Sequence, residues 1–134
     1  MNYWLVKSEP SEYSYDDLVK DGGTFWDGVR NYTARNNLKS MKKNDLVLFY
    51  HSVKEKAVVG VAKVTKEHYP DPTIDDDRWV AVDIKAQKKI KNPVTLADIK
   101  AENRLQDIAL VRQARLSVMP LNKKAFDLII KMGQ

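Results

Sequence analysis

The sequence predicts an α+β fold: a small mixed sheet, curled towards a barrel, with short flanking helices. Three observations predict it. Strand-like segments succeed one another between Leu46 and Ala86 instead of alternating with helices. The helix-start patterns Ser14-Tyr15-Asp16-Asp17 and Thr95-Leu96-Ala97-Asp98 fall on either side of that block. No repeat, low-complexity run or linker divides the 134 residues, so residues 1–134 are expected to form one domain with a core of its own.

Residues 3–7, Tyr-Trp-Leu-Val-Lys, read as a first strand because aromatic and branched side chains fit a pleated surface. Glu9-Pro10 ends it, since proline cannot donate to a ladder. Ser14 then caps a short helix through Leu18 and Val19, with acids in its first turn, and Gly22-Gly23 stops it. Thr24-Phe25-Trp26 is a brief extended segment. Asn31 to Met41 is a second helix, with Ala34, Leu38 and Met41 spaced for one face.

Lys43-Asn44-Asp45 is a turn. Leu46 to His51 is a strand, apolar on both faces and therefore central. Lys54-Glu55-Lys56 connects it to a returning strand, Val58 to Thr65, in which Gly60 marks a bend or a close approach. Tyr69-Pro70-Asp71-Pro72 leads into an acidic loop. From Trp79 to Ala86, Val80, Val82, Ile84 and Ala86 alternate with Ala81, Asp83 and Lys85, the period of a strand. Asn92-Pro93 is expected to break it. Thr95 opens a short helix to about Lys100, and Leu105 to Val118 is mixed. Asn122 caps a last helix with Phe126, Ile129 and Ile130 as its buried stripe, and Gly133 follows as C-cap.

Composition narrows the chemistry. Hydrophobic residues are 43% and charged residues 31%, as in soluble globular proteins. There is no cysteine, which excludes disulfides and thiol catalysis and removes the commonest zinc ligands. Asp75-Asp76-Asp77 lacks the spacing and glycine of a calcium loop and reads as a solvated acidic loop. No metal and no cofactor is expected. The first residues lack the basic region and apolar run of a signal peptide, and no stretch approaches the ~20 apolar residues of a spanning helix. A cytoplasmic protein with no membrane partner is expected, or a nuclear one in a eukaryote. Net charge is +5, which permits a polyanionic partner. Arg30, Arg35, Lys39, Lys42 and Lys43 form one basic group, and Lys85, Lys88, Lys89 and Lys91 a second.

One stretch gathers recognition chemistry: Trp26-Asp27-Gly28-Val29-Arg30-Asn31-Tyr32-Thr33-Ala34-Arg35-Asn36. It offers an indole, a phenol, two guanidiniums and two carboxamides, with Gly28 allowing a sharp bend after the tryptophan. Such a set suits a flat, hydrogen-bonding ligand that stacks on an aromatic face while amides read its edges and arginines hold phosphate. The competing reading is a core tryptophan beside a polar helix face.

The same residues carry a family resemblance. YWLVKSEP at 3–10, WDGVRNYTARN at 26–36, DLVLFYHS at 45–52, VVGVAKVTKEHYPDP at 58–72 and LVRQARLSVMP at 110–120 resemble the EVE domain, of the PUA-like superfamily, from Tyr3 to Met132. The resemblance implies a barrel-like curved mixed sheet with flanking short helices, no catalytic machinery, and a pocket for a modified nucleobase. A weaker similarity links Lys7-Ser8, Asp16-Asp17, Trp26, Leu48-Phe49 and Gly60-Val61-Ala62 to YTH domains, which hold methyladenine in an aromatic cage. The loop from Asp71 to Arg78 has no aromatic to match that cage's second tryptophan. Methylated or hydroxymethylated cytosine is thus as good an expectation as methyladenine, in DNA or in RNA.

Trp26 is the first candidate ligand wall, because base stacking on an aromatic contributes about 1–3 kcal/mol. Lys7 and Ser8, at the end of the first strand, are candidate base contacts, with strand-end capping as the alternative. Asn31 can read a base edge or cap its helix. Tyr50 and His51 end the central strand, where such sheets open, and no carboxylate partner of His51 is apparent in the sequence. Arg30, Arg35 and Arg112 are candidate phosphate contacts, with ion pairs to acids such as Asp27 or Asp45 as the alternative. One of Arg112 and Arg115 is expected to be an internal strut, since Leu110, Val111, Leu116 and Val118 around them read as buried. Trp4 and Trp79 are assigned to the core. No catalytic residue is assigned. His51 and Ser52 are adjacent and point to opposite faces of a strand, and no nucleophile elbow, P-loop or dinucleotide fingerprint is present. A protein-interaction or small-molecule-binding module is the rival, with an uncharacterised hydrolase behind it.

Overall fold

The computed structural model describes residues 1–134. Six strands form one curled mixed sheet: β1 (Tyr3–Ser8), β2 (Thr24–Trp26), β3 (Leu46–His51), β4 (Ala57–Pro70), β5 (Val80–Thr95) and β6 (Val118–Leu121), in the order β2-β5-β4-β3-β1-β6. Only β1 and β3 run parallel, and the crossover between them carries α1 (Tyr15–Asp21), β2 and α2 (Tyr32–Ser40). The crossover thereby brings Trp26 and its loop back to the end of β1. α3 (Leu96–Ala101), a 3-10 turn (Asn103–Leu105), α4 (Ala109–Arg112) and α5 (Lys123–Met132) surround the later strands.

The expected caps are all present. Ser14 accepts from the Asp17 amide while the Asp17 carboxylate accepts from the Ser14 amide, and Gly22 closes α1 in the left-handed region at φ 77°. Thr95 and Asp98 repeat the reciprocal pair at α3. Asn122 caps α5 through the Ala125 amide, and Gly133 ends it. Ala34, Leu38 and Met41 are all fully buried, as the spacing of α2 requires. In α5, Phe126 and Ile129 are buried, while Ile130 lies at the margin of the core. Trp4 and Trp79 are core residues, 5% and 8% exposed. The Trp4 indole donates to buried Asp45, which also receives the backbone amides of Asn2 and Lys42.

β3 is central, with β1 on one side and β4 on the other, and five of its six residues are buried. At Gly60 the close approach is the ring of Tyr15, which occupies the space a Cβ would need. Tyr15 is held there by its hydroxyl, which donates to Val61 O at 2.7 Å.

Four expectations are corrected. β4 continues to Pro70, well past Thr65, because β5 still pairs with it at Tyr69↔Ala81 and Pro70↔Val80. Asn92-Pro93 does not end β5. The β4 register moves from Val58↔Val94 directly to Gly60↔Lys89, so residues 90–93 bulge opposite Val59 and Pro93 needs no ladder donor. The Asn92 amide instead donates to Gly133 O at the end of α5. The mixed segment ends in the edge strand β6, antiparallel to β1. Finally, Arg112 and Arg115 are both exposed, so neither is an internal strut.

Candidate functional site

A cleft of about 360 Å³ opens where β1 ends, between the Glu9–Tyr13 turn and the β2–α2 loop. That volume lies within the range of small-ligand sites. Trp26 forms part of its wall, and Lys7, Ser8 and Arg30 also line it. Asn31, Tyr50, His51, Arg35 and Arg112 do not.

Trp26 is placed by the two-sided environment of β2. Its backbone pairs with Val82 of β5, and its ring meets Phe49 edge-on, with centroids 5.4 Å apart and planes at 83°. Phe49 is fully buried and in turn meets Tyr15 and His51 edge-on. The indole is therefore backed by a packed aromatic row and keeps partial exposure towards the cleft.

The loop after Trp26 is fixed from below by Asp71. Gly28, at φ 75°, donates its amide to Asp71 Oδ2 at 2.9 Å, and Arg30 Nη1 donates to the same oxygen at 3.0 Å. Thr73 donates both its amide and its hydroxyl to Oδ1. Asp75 and Asp77 within the acidic loop are exposed as expected, whereas Asp71, which leads into it, is 2% exposed. Burial pushes its carboxyl up, but the donors from Thr73, Gly28 and Arg30 overcome that and hold it at about 2.

Lys7 Nζ donates to Ala114 O at 2.8 Å and lies 5.9 Å from the Tyr50 ring centroid; burial lowers its pKa. Ser8 Oγ donates to Tyr13 O at 2.5 Å, which closes the turn after β1. Tyr13, another lining residue, donates its hydroxyl to Asp21, and burial together with that carboxylate raises its pKa to about 12. It stays a neutral phenol at physiological pH.

Elsewhere the candidates have structural partners. Asn31 Oδ1 accepts from the Ala34 amide and caps α2. His51 Nε2 accepts from the Tyr15 amide at 3.1 Å, which leaves the proton on Nδ1, 3.0 Å from Glu55 Oε1. The carboxylate partner comes from the β3–β4 connection, four residues along. Tyr50 is buried, and burial raises its pKa. Arg35 donates to Asn36 and lies over Tyr32, whose ring stacks on Trp79 at 5.1 Å. Arg112 pairs with exposed Asp107 at 2.7 Å.

The cleft also contains residues that sequence reasoning passed over: Glu9, Glu12, Tyr13, Thr24, Phe25 and Ser117. Ser117 arrives through β6 and no local pattern marks it. Tyr13 carried a weak signal, an aromatic in a polar turn directly before a helix cap. Asp27, Glu9 and Glu12 outnumber Lys7 and Arg30 in the lining, and carboxylates there resist phosphate and accept from amines.

The EVE domain model matches residues 2–132. The chain belongs to the EVE domain family. Thymocyte nuclear protein 1 of Mus musculus is 35% identical to this EVE domain, over 99% of the chain and 74% of the mouse protein. A solved protein of Rhodopseudomonas palustris is 48% identical with a TM-score of 0.94, covering 99% of this EVE domain and 93% of the other chain. Human THYN1, solved in complex with 5-methylcytosine-containing DNA, is 32% identical with a TM-score of 0.94, covering 100% and 98%. The six-stranded curled sheet with short helices is the PUA-like layout that the sequence motifs implied. No helix is long and apolar enough to cross a membrane.

Proposed function

We propose that this EVE domain is a non-catalytic nucleic-acid-binding module that takes one modified cytosine of a DNA strand into the cleft beside Trp26. The observation that carries the reading is the partly exposed indole on the wall of a cleft of about 360 Å³, in a relative of a protein solved with 5-methylcytosine-containing DNA. A base stacked on Trp26 gains about 1–3 kcal/mol, and Phe49 behind the indole keeps the platform from tilting. The acids suit the exocyclic amine of cytosine, since a carboxylate accepts from it and repels the carbonyl that uracil and thymine carry in its place. A cytosine methyl adds apolar contact worth about 0.8 kcal/mol. Catalysis finds no support in the histidines. Both ring nitrogens of His51 are engaged, and His68 is not a cleft residue.

The test is fluorescence anisotropy at low salt with short strands carrying cytosine, methylcytosine, hydroxymethylcytosine or methyladenine, in DNA and RNA. Wild type is expected to prefer methylcytosine DNA. Trp26→Ala, with an unchanged circular dichroism spectrum, is expected to lose about tenfold or more in affinity together with the preference. Equal binding of modified and unmodified strands by both proteins overturns the reading.

A further inference from the structure

The cleft is poorly equipped to hold phosphates. Its three carboxylates outnumber its two cations, and both cations are already engaged, Lys7 with Ala114 O and Arg30 with Asp71. Six arginines occur in the chain, Arg30, Arg35, Arg78, Arg104, Arg112 and Arg115. Arg30, Arg78, Arg104 and Arg112 pair with carboxylates. Arg35 donates to the Asn36 side chain and to Arg78 O. Arg115 alone makes no side-chain hydrogen bond and no ion pair, and it is exposed.

Arg115 lines a second depression, of about 300 Å³, together with Asn31, Thr33, Gln113, Ala114 and Leu116. No acid lines it. A guanidinium in a lining of amides and a hydroxyl offers several donors and no opposing charge, which is the chemistry of an anion site. Two chain segments join it to the cleft. Gly28, Val29 and Arg30 line the cleft, and Asn31 and Thr33 line the depression. On the other side, Gln113 to Leu116 line the depression and Ser117 lines the cleft. Lys7, itself in the cleft, ties the two together by donating to Ala114 O.

We propose that this depression is a phosphodiester subsite, in which Arg115 and Thr33 hold the backbone phosphate next to the nucleotide whose base enters the cleft. The proposal rests on the base-binding reading above. The subsite contributes affinity for a strand and none for the free base, whose identity is read beside Trp26. It also divides the arginines by role: Arg30 holds the loop, Arg112 holds Asp107, and Arg115 meets the ligand.

The test compares wild type, Arg115→Ala, Arg112→Ala and Trp26→Ala with three probes, a short methylcytosine-containing DNA strand, the same strand with unmodified cytosine, and the nucleoside 5-methyl-2′-deoxycytidine. Arg115→Ala is expected to weaken the strand about fivefold or more and to make the slope of log K against log salt shallower by about 0.7, the loss of one single-strand phosphate contact. Its nucleoside affinity stays at the wild-type value, and Arg112→Ala changes neither. Wild-type strand affinity and slope in Arg115→Ala overturn the subsite, as does an equal loss for the nucleoside. Strand binding that needs Arg115 but ignores Trp26 and methylation retains the phosphate contact and removes the base reading. A wild type that binds no strand removes both.

Discussion

The carboxylate of Asp71 receives donors from Thr73, Gly28 and Arg30 while shielded from water, and that set decides the pH dependence of the loop bearing Trp26. Its folded pKa, about 2, lies below the ordinary 3.8. A group depressed on folding contributes stability above its unfolded pKa and loses it as pH falls towards the folded value. Over a gap of that size the contribution is roughly 2 to 3 kcal/mol. Asp71→Asn keeps the shape but not the charge. It is expected to be less stable than wild type at pH 7 by roughly 2 kcal/mol and to approach it near pH 2, as read from urea midpoints. A constant difference across that range refutes the assignment. Asp71 also shows the limit of reading side chains one at a time. Arg30 was legible as a binding group because it follows Trp26 at short range, whereas its partner lies 41 residues on. Asn31 had two readings, and the cap is the one its Oδ1 uses.

Helix boundaries were the most legible elements, because a cap is local chemistry between residues three apart. Ser14 exchanges hydrogen bonds with Asp17 across the first turn of the seven-residue α1, where the other anchor is Tyr15, through the His51 contact to its amide and its own hydroxyl on Val61 O. Ser14→Ala is expected to cost about 1 kcal/mol in thermal or urea unfolding. It is also expected to loosen the Tyr13 turn at the cleft, visible as faster amide exchange at Tyr15 and Asp17. A stability change below a few tenths of a kcal/mol sinks the idea that the reciprocal cap holds this helix. Strand ends were less legible, because pairing is not local. Asn92-Pro93 carries a breaker signal, yet the bulge opposite Val59 gives Pro93 a place where no amide is needed. β6 was hidden for the related reason that Pro120 sits in it, which an edge strand tolerates and a central one does not.

Taken over the whole molecule, a net charge of +5 coexists with a cleft containing three carboxylates, so charge alone does not draw a strand into it. Few phosphate contacts are expected. The wild-type slope of log K against log salt for a short single strand should lie between about −0.7 and −1.4, one or two phosphates. A slope steeper than about −4 points instead to a duplex or long tract running across the β5 lysines. The sequence by itself determined the family, the α+β class, the helix caps, the central strand and the aromatic that faces the cleft. Those follow from short-range patterns and from motifs long enough to specify a family. Only the tertiary structure decided which polar side chains are free. His51, Asn31, Arg30 and Arg112 are chemically able to meet a ligand. Folding gives each of them a partner and leaves Arg115 without one, because hydrogen bonds and ion pairs are settled by proximity in space.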